Sequence, residues 1–572
     1  MELDTYSLKN SSKEEVNTES LQAAPVPEKY SRWELLLPVL AILSLLIACI
    51  IISPKKYFWN DELYSYYFTS DPSFSGMLAA FHDKINNTPV LYFALGWVWD
   101  KAFGSSELSL RLFSSLSMGL ALLVTWITVR RQYSFWATSI GILGVFCTSQ
   151  IILLQNAEAR MYGLFLALCA LGLYFYDHFN RNQKPSNRML FLNLLVHAGI
   201  VHTHLFGGFY SGAILLALFL SDRYYSRFRP KVYLSVILSW LTILFYLPSF
   251  FIQADAGKPR TWIPVPSVTD LLDLLNILAP SFFQLGFVVL LLAVAGLHMY
   301  RKEAMTDRST TAGAEKNLNT EVPLLILAAL FILMPVFIWG FSRTIKPIFY
   351  DRYMIPSALG WVIFLAYFAS RTTDSQKILE FSSATKSWAK KGSAVMMLIV
   401  AGALIYYPVH EARKLPKQTP PDAFATDGYD DLPLVVSFSH IFLQTQHYSP
   451  QRKKFFFILD WEAAVDENSG LFSPQEYKHL DAIRRNYPER FGNNILTSDE
   501  FLSRFDRFLV ADYPDYTRKC PAEPRGMATA RAWIDVHCPQ WVEMRLLNNA
   551  RYKVTYLNNS YWYTMLLVEK QK

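Results

Sequence analysis

Long apolar runs recur along this chain at a length that a bilayer requires. A hydrocarbon core of ~30 Å needs ~20 mostly apolar residues per helix, and runs near that size lie at 35–53, 108–129, 135–154, 161–177, 189–204, 205–221, 232–251, 283–300, 322–341, 354–370 and 394–409. Eleven spans are therefore expected. A further apolar stretch at 89–103 is about 15 residues long and runs straight into Gly104 and Glu107, so it reads as a re-entrant or interfacial helix. Past residue 410 the pattern changes. Short β-rich runs at 434–438, 454–459, 507–511 and 562–567 alternate with helical stretches such as 474–486, which predicts a small α/β domain. The organisation expected is a polar tail over 1–33, a transmembrane domain over 34–410 and an α/β domain over 411–572, with the proline-containing stretch 414–422 as linker.

Charge fixes the orientation. With 89–103 not spanning, Arg130 and Arg131, then Arg181, Lys184 and Arg188, then Arg223, Arg227, Arg229 and Lys231 all fall on one side, together with Arg301, Lys302, Lys377, Lys386, Lys390 and Lys391. By the positive-inside rule that side is the cytoplasm. The 1–33 tail is then cytoplasmic, and the 411–572 domain is extracytoplasmic. So are the loops 54–107, 155–160, 202–204, 252–282 and 342–353, which hold mixed acids, bases, histidine, tryptophan and proline, as a polar site roofed by loops requires.

Composition agrees with a membrane solvent: 52% of the 572 residues are hydrophobic and 15% aromatic. The net charge of +7 does not point to nucleic acid, because the basic residues sit in short loops between apolar runs. Cys49, Cys147 and Cys169 fall inside apolar helices, whereas Cys520 and Cys538 lie in the C-terminal region, where an oxidising compartment would permit a disulfide. The first 30 residues are too polar for a cleavable signal, so the first helix is expected to stay as an anchor.

The sharpest chemical feature is Trp59-Asn60-Asp61-Glu62-Leu63, just past the first span. Asp61 fits either a cap for a helix over 62–68 or a general base with Glu62 assisting. Behind it come Asn87-Thr88-Pro89-Val90-Leu91-Tyr92, Phe103-Gly104-Ser105-Ser106-Glu107 and Leu110-Arg111-Leu112-Phe113-Ser114. Then follow Ala157-Glu158-Ala159-Arg160-Met161-Tyr162, His202-Thr203-His204 and Tyr350-Asp351-Arg352-Tyr353. This order resembles the GT-C glycosyltransferases, in particular the protein O-mannosyltransferases and the bacterial aminoarabinose or hexose transferases. Thr88-Pro89 stands where that family commonly has two prolines, and Phe113 where it has one.

The resemblance implies an enzyme of the bacterial inner membrane with an extracytoplasmic site. It would carry a sugar, with inversion, from a polyprenyl-phosphate donor to a hydroxyl of a lipid, protein or glycan. Asp61 and Glu62 are then the catalytic pair. Arginine suits a phosphate leaving group because its planar fork bonds in pairs and stays charged, so Arg160 and Arg352 lead the candidate cations, with Lys346 next and Arg111 on the same face. His204 is a candidate partner for phosphate or sugar, and Tyr162 and Tyr353 for stacking on a sugar; interfacial anchoring explains such residues equally well. The histidines beside acids leave a divalent cation open without requiring one. The competing class is a transporter or lipid flippase, which predicts charges near the bilayer midplane and an internal repeat. Neither feature is visible in this sequence.

Overall fold

The computed structural model describes residues 31–182, 184–256, 263–277, 321–373, 383–461, 474–512, 541–560 and 563–572. The expected helix at 283–300, the tail up to residue 30 and the cysteines 520 and 538 lie outside them.

The chain is a polytopic α-helical membrane protein with a small α/β domain at its C-terminal end. After α1 (Leu36–Ile52) come three short helices, α2 (Asn60–Thr69), α3 (Phe74–His82) and α4 (Leu91–Phe103), and then the long α5 (Glu107–Arg130). Next follow α6 (Phe135–Phe146), α7 (Gln150–Asn156), α8 (Tyr162–Arg181), α9 (Asn187–Thr203), α10 (Gly207–Tyr224), α11 (Pro230–Leu241), α12 (Leu247–Ala256) and α13 (Val268–Asp273). The bundle is completed by α14 (Glu321–Thr344), α15 (Ser357–Thr373) and α16 (Ser383–Lys414). Among the described residues five helices are long and apolar enough to cross a bilayer, or seven if two bent pairs each count as one span. On α1, Leu36, Val39, Leu40, Leu43, Ile47 and Ile50 form an exposed apolar stripe at helical spacing, which only lipid would solvate.

Two expected spans are broken. The run 135–154 bends by 68° between α6 and α7, where Ser149 starts a new helix by accepting the backbone N–H of Ile152. The run 232–251 bends by 63° at α12, whose second residue, Pro248, has no N–H to continue the preceding ladder. The 13 residues of α4 reach only about 20 Å, too short to span. Trp99 near its end donates to the Ser109 carbonyl and Tyr92 near its start meets the Ser114 hydroxyl, so α4 packs against the first turns of α5.

The helices alternate between two chemically different ends. At one end Arg130 pairs with Glu34, Arg131 and Arg181 with Asp177, Arg227 and Arg229 with Asp222, and Arg371 with Glu321. The opposite end carries α2 to α4, the loops 157–161 and 345–356, and the C-terminal domain. There Lys55 donates to the carbonyls of Ala412, Arg413 and Leu415, capping α16. The stretch 414–422 is stapled to the end of α1, through Gln418 N to Lys55 O and Tyr57 N to the Gln418 side chain, both at 2.8 Å.

The C-terminal domain holds a six-stranded sheet in the order β3-β2-β1-β4-β6-β5. Its strands are β1 (Leu434–Val436), β2 (Phe455–Leu459), β3 (Ile495–Thr497), β4 (Arg507–Asp512), β5 (Tyr552–Asn559) and β6 (Thr564–Lys570). The first four run parallel and the last two close as an antiparallel hairpin. Phe455–Leu459 is buried along its whole length, the pattern of a parallel strand covered on both faces. Helices α17 (Ser439–Tyr448) and α18 (Pro474–Asn486) face the bundle. Phe58 N donates to the Tyr448 hydroxyl and Gln444 donates to the Phe58 carbonyl, each at 2.8 Å, so the domain clamps the segment that leads into α2.

Candidate active site

The two adjacent acids open α2, where the unsatisfied N–H groups favour negative charge. Glu62, and not Asp61, makes the capping bond: its Oε2 accepts the Trp59 N–H at 3.2 Å. Glu62 is 0% exposed, and so is its partner Arg111. Arg111 Nε and Nη2 reach the two carboxylate oxygens at 2.8 and 2.9 Å, and the Ala159 N–H adds a third bond at 2.8 Å. The remaining Arg111 donors bind the carbonyls of Ser53, Lys56 and Tyr57. This closed pair therefore ties together the end of α1, the start of α2, α5 and the loop before α8. Breaking one side of such a pair typically costs about 3–5 kcal/mol, because a charge is left buried alone.

Asp61, one residue earlier, points the other way and keeps 21% of its side chain exposed. Its Oδ2 accepts from Arg352 Nη2 at 2.8 Å and lies 3.6 Å from Arg160 Nη2. Both contacts fall on Oδ2, leaving Oδ1 as the open edge. Arg160 is fixed from several directions: its Nη1 donates to the Asp61 carbonyl and the Ser65 hydroxyl, and its own carbonyl accepts from Ser114 Oγ at 2.9 Å. That approach needs Gly163, since a Cβ there would collide with the Ser114 carbonyl where α5 and α8 touch. Arg160 Nε is buried without a hydrogen-bond partner, as are the Tyr162 hydroxyl and Glu158 Oε2.

Arg352 sits in the short turn before α15, inside an aromatic cage. Its guanidinium carbon is 5.0 Å from the Trp59 ring centre, 4.9 Å from Tyr350, 5.7 Å from Tyr162 and 6.0 Å from Tyr353. Such cation–π contacts hold the charge in place without occupying its N–H groups. Tyr353 packs on His204 at 5.0 Å and stacks beside Tyr162 at 6.3 Å. The buried His204 ring stacks on Phe165, and its Nδ1 accepts the Phe206 N–H at 3.1 Å, so that nitrogen carries no proton.

Beside this cluster opens a cleft of about 780 Å³. His204, Tyr353, Lys346, Thr88 and Gln475 are on its wall, and Asp61 lies one layer behind, beyond Arg352. Gln475 comes from α18, so the C-terminal domain forms part of the wall. Glu158 belongs to the same neighbourhood. Burial, with the Glu62 carboxylate close by, pushes its pKa up to about 7, while Lys56 and Arg352 oppose the shift.

No family model matches the sequence, and neither does any curated protein. Solved structures do match. The crystal structure of ArnT from Cupriavidus metallidurans bound to undecaprenyl phosphate aligns over 94% of this chain and 98% of that one, with TM-score 0.50 and 14% identity. Its apo state aligns over 94% and 97%, with TM-score 0.52 and 12% identity. The chain therefore shares its fold with these ArnT structures.

Within this fold the sequence candidates separate into groups. Asp61, Arg160, Tyr162, Arg352, Tyr353 and His204 converge on one cluster, and Lys346 stands exposed at the adjoining cleft. Glu62 and Arg111 lie behind the cluster with their hydrogen-bonding capacity spent inside the protein. His202 faces Thr242 at 2.9 Å instead of the cluster. Among the described residues no group of three or more His, Cys, Asp and Glu side chains is arranged to hold a metal ion. Sequence reasoning did not single out Glu158, Trp59 or Gln475. Glu158 stood inside the quoted Ala-Glu-Ala-Arg motif, and an acid two residues before an arginine, just ahead of a helix start, was the available signal.

Proposed function

We propose that the chain is a membrane glycosyltransferase that moves a sugar from a polyprenyl-phosphate carrier to a hydroxyl acceptor, with Asp61 as general base. The observation that carries this reading is the divided environment of Asp61, whose Oδ2 is held by two buried arginines while Oδ1 is left open, one layer behind the cleft wall formed by His204 and Tyr353. The ligand in the ArnT structure, undecaprenyl phosphate, supports a carrier of that class. The charges of the candidate site gather at one end of the helices, away from the midplane, which favours an enzyme over a transporter. By the positive-inside rule the end opposite the basic loops is extracytoplasmic, which suits a bacterial plasma-membrane enzyme.

In the reaction, the acceptor oxygen bonds to the anomeric carbon as the bond from that carbon to the phosphate oxygen breaks. The bonding electrons leave with the phosphate, and the acceptor proton passes to Asp61 Oδ1. Proton removal of this kind contributes roughly 10²–10⁴ in rate. Arg352 holds Asp61 in the free protein and exchanges it for the departing phosphate, while its aromatic cage keeps the guanidinium in position. Arg160 remains on Asp61 and keeps it oriented, and Lys346 adds charge at the cleft. Inversion at the anomeric carbon follows from the family resemblance.

The test is an assay of the purified full chain in lipid vesicles with a panel of polyprenyl-phosphate sugars, each offered with lipid, peptide and glycan acceptors. Sugar transfer with release of polyprenyl phosphate from at least one donor is expected. A panel in which no donor is bound or consumed contradicts the proposal.

A further inference from the structure

We propose that the C-terminal domain supplies a sugar-recognition residue: Gln475, whose amide oxygen accepts a hydrogen bond from a hydroxyl or amine of the sugar on the polyprenyl-phosphate donor. This rests on the glycosyltransferase reading above and adds to it the residue that reads the sugar.

Gln475 begins α18, is 5% exposed and lines the cleft. The orientation of its amide follows from a chain of hydrogen bonds. His479, one turn later, bonds through Nδ1 to the Lys84 carbonyl. A carbonyl only accepts, so Nδ1 carries the proton. Burial lowers the pKa of this histidine, which keeps the ring neutral and leaves Nε2 a bare acceptor. The Gln475 partner at 3.3 Å from Nε2 must then be its NH₂. The amide oxygen is thereby turned away from His479, and it is buried with no partner among the described residues.

An unpartnered buried carbonyl is destabilising, and a ligand that donates to it recovers that cost. Two neighbouring polar residues of the wall are already satisfied: Gln253 donates to Phe81 O and accepts from the Tyr246 hydroxyl, and Thr88 pairs with Asn86. A phosphate diester has no proton to offer an amide oxygen, so Gln475 does not address the phosphate. Sugar hydroxyls and amines are donors, and they are what must lie next to a phosphate held by the cations. The helix presenting Gln475 is anchored firmly: Lys478 donates to the Asp255 carbonyl at 2.7 Å, and Arg485 and Asn486 hold Asp83 at 3.0 and 2.9 Å.

The experiment measures binding to the full chain in vesicles of two probes: bare undecaprenyl phosphate, and undecaprenyl-phospho-sugars bearing a hexose or an aminopentose. Gln475→Met should weaken the best-bound sugar lipid by about 10-fold or more and leave the bare carrier unchanged, the latter also reporting a folded protein. Equal affinity of wild type and variant for the sugar lipid overturns the inference, and so does an equal loss for both probes. On wild-type protein alone, one deoxy or deamino analogue of the preferred sugar should bind about 10-fold more weakly. If every such analogue binds like the parent, the inference is overturned without any variant. Wild-type protein that binds neither probe overturns the glycosyltransferase reading as well, which separates the two failures.

Discussion

Two carboxylates separated by one peptide bond meet opposite fates in this protein. Glu62 faces inward, where Arg111 and two backbone N–H groups use both of its oxygens and no water reaches it. Asp61 faces the arginine cluster behind the cleft, where two arginines share one oxygen and the other stays open. Consecutive residues in the first turn of a helix point about 100° apart, so one acid can brace the scaffold while its neighbour meets substrate. Chemistry needs an incomplete hydrogen-bond shell, whereas stability needs a complete one.

The comparison breaks most visibly if the closed pair is opened. Glu62→Gln and Arg111→Met should each lower stability by about 3–5 kcal/mol, read as a large fall in melting temperature and in the yield of folded protein in detergent. Wild-type melting in both variants would remove the scaffold half of the contrast. On the open side, Arg352→Lys keeps the charge but loses the planar fork. Donor KM should rise by roughly 10- to 100-fold, in line with the loss of about 1.5–3 kcal/mol for a charge-assisted bond, while melting changes little. A donor titration of the variant checks this.

The smallest effect concerns pH. Glu158 carries a raised pKa of about 7 and is faced by Glu62, Asp61, Lys56 and Arg352. Above that pH it adds a negative charge beside a site that must accept phosphate. Donor KM should therefore climb a few-fold, roughly, between pH 6 and 8, and Glu158→Gln should flatten that climb. An unchanged profile in the variant would assign the pH dependence to another group.

Much of this arrangement was legible in the sequence, for reasons that also explain what was not. The apolar runs located the helices because a bilayer demands length and hydropathy, but they did not reveal the bends at Ser149 and Pro248. A capping serine or a proline inside an apolar run is compatible with either a straight or a broken helix. The Asp61-Glu62 pair stood out as a pair. Which acid keeps an open oxygen depended on Arg111, Arg352 and Ala159, all far away in the chain. Arg160 and Arg352 were accessible to reasoning from arginine chemistry and from loop placement. Gln475 was not, because its role arises from contact between residues 395 positions apart, Lys84 and His479, and no local pattern encodes such a meeting. The α/β domain was visible as alternating β-rich and helical runs, and its part in the cleft was not.

The most direct test of the account is the Asp61→Asn variant, assayed beside wild type for sugar transfer from a polyprenyl-phosphate donor and for thermal unfolding. The account predicts transfer reduced by roughly 10²–10⁴ at an essentially unchanged melting temperature. Transfer at the wild-type rate would contradict it.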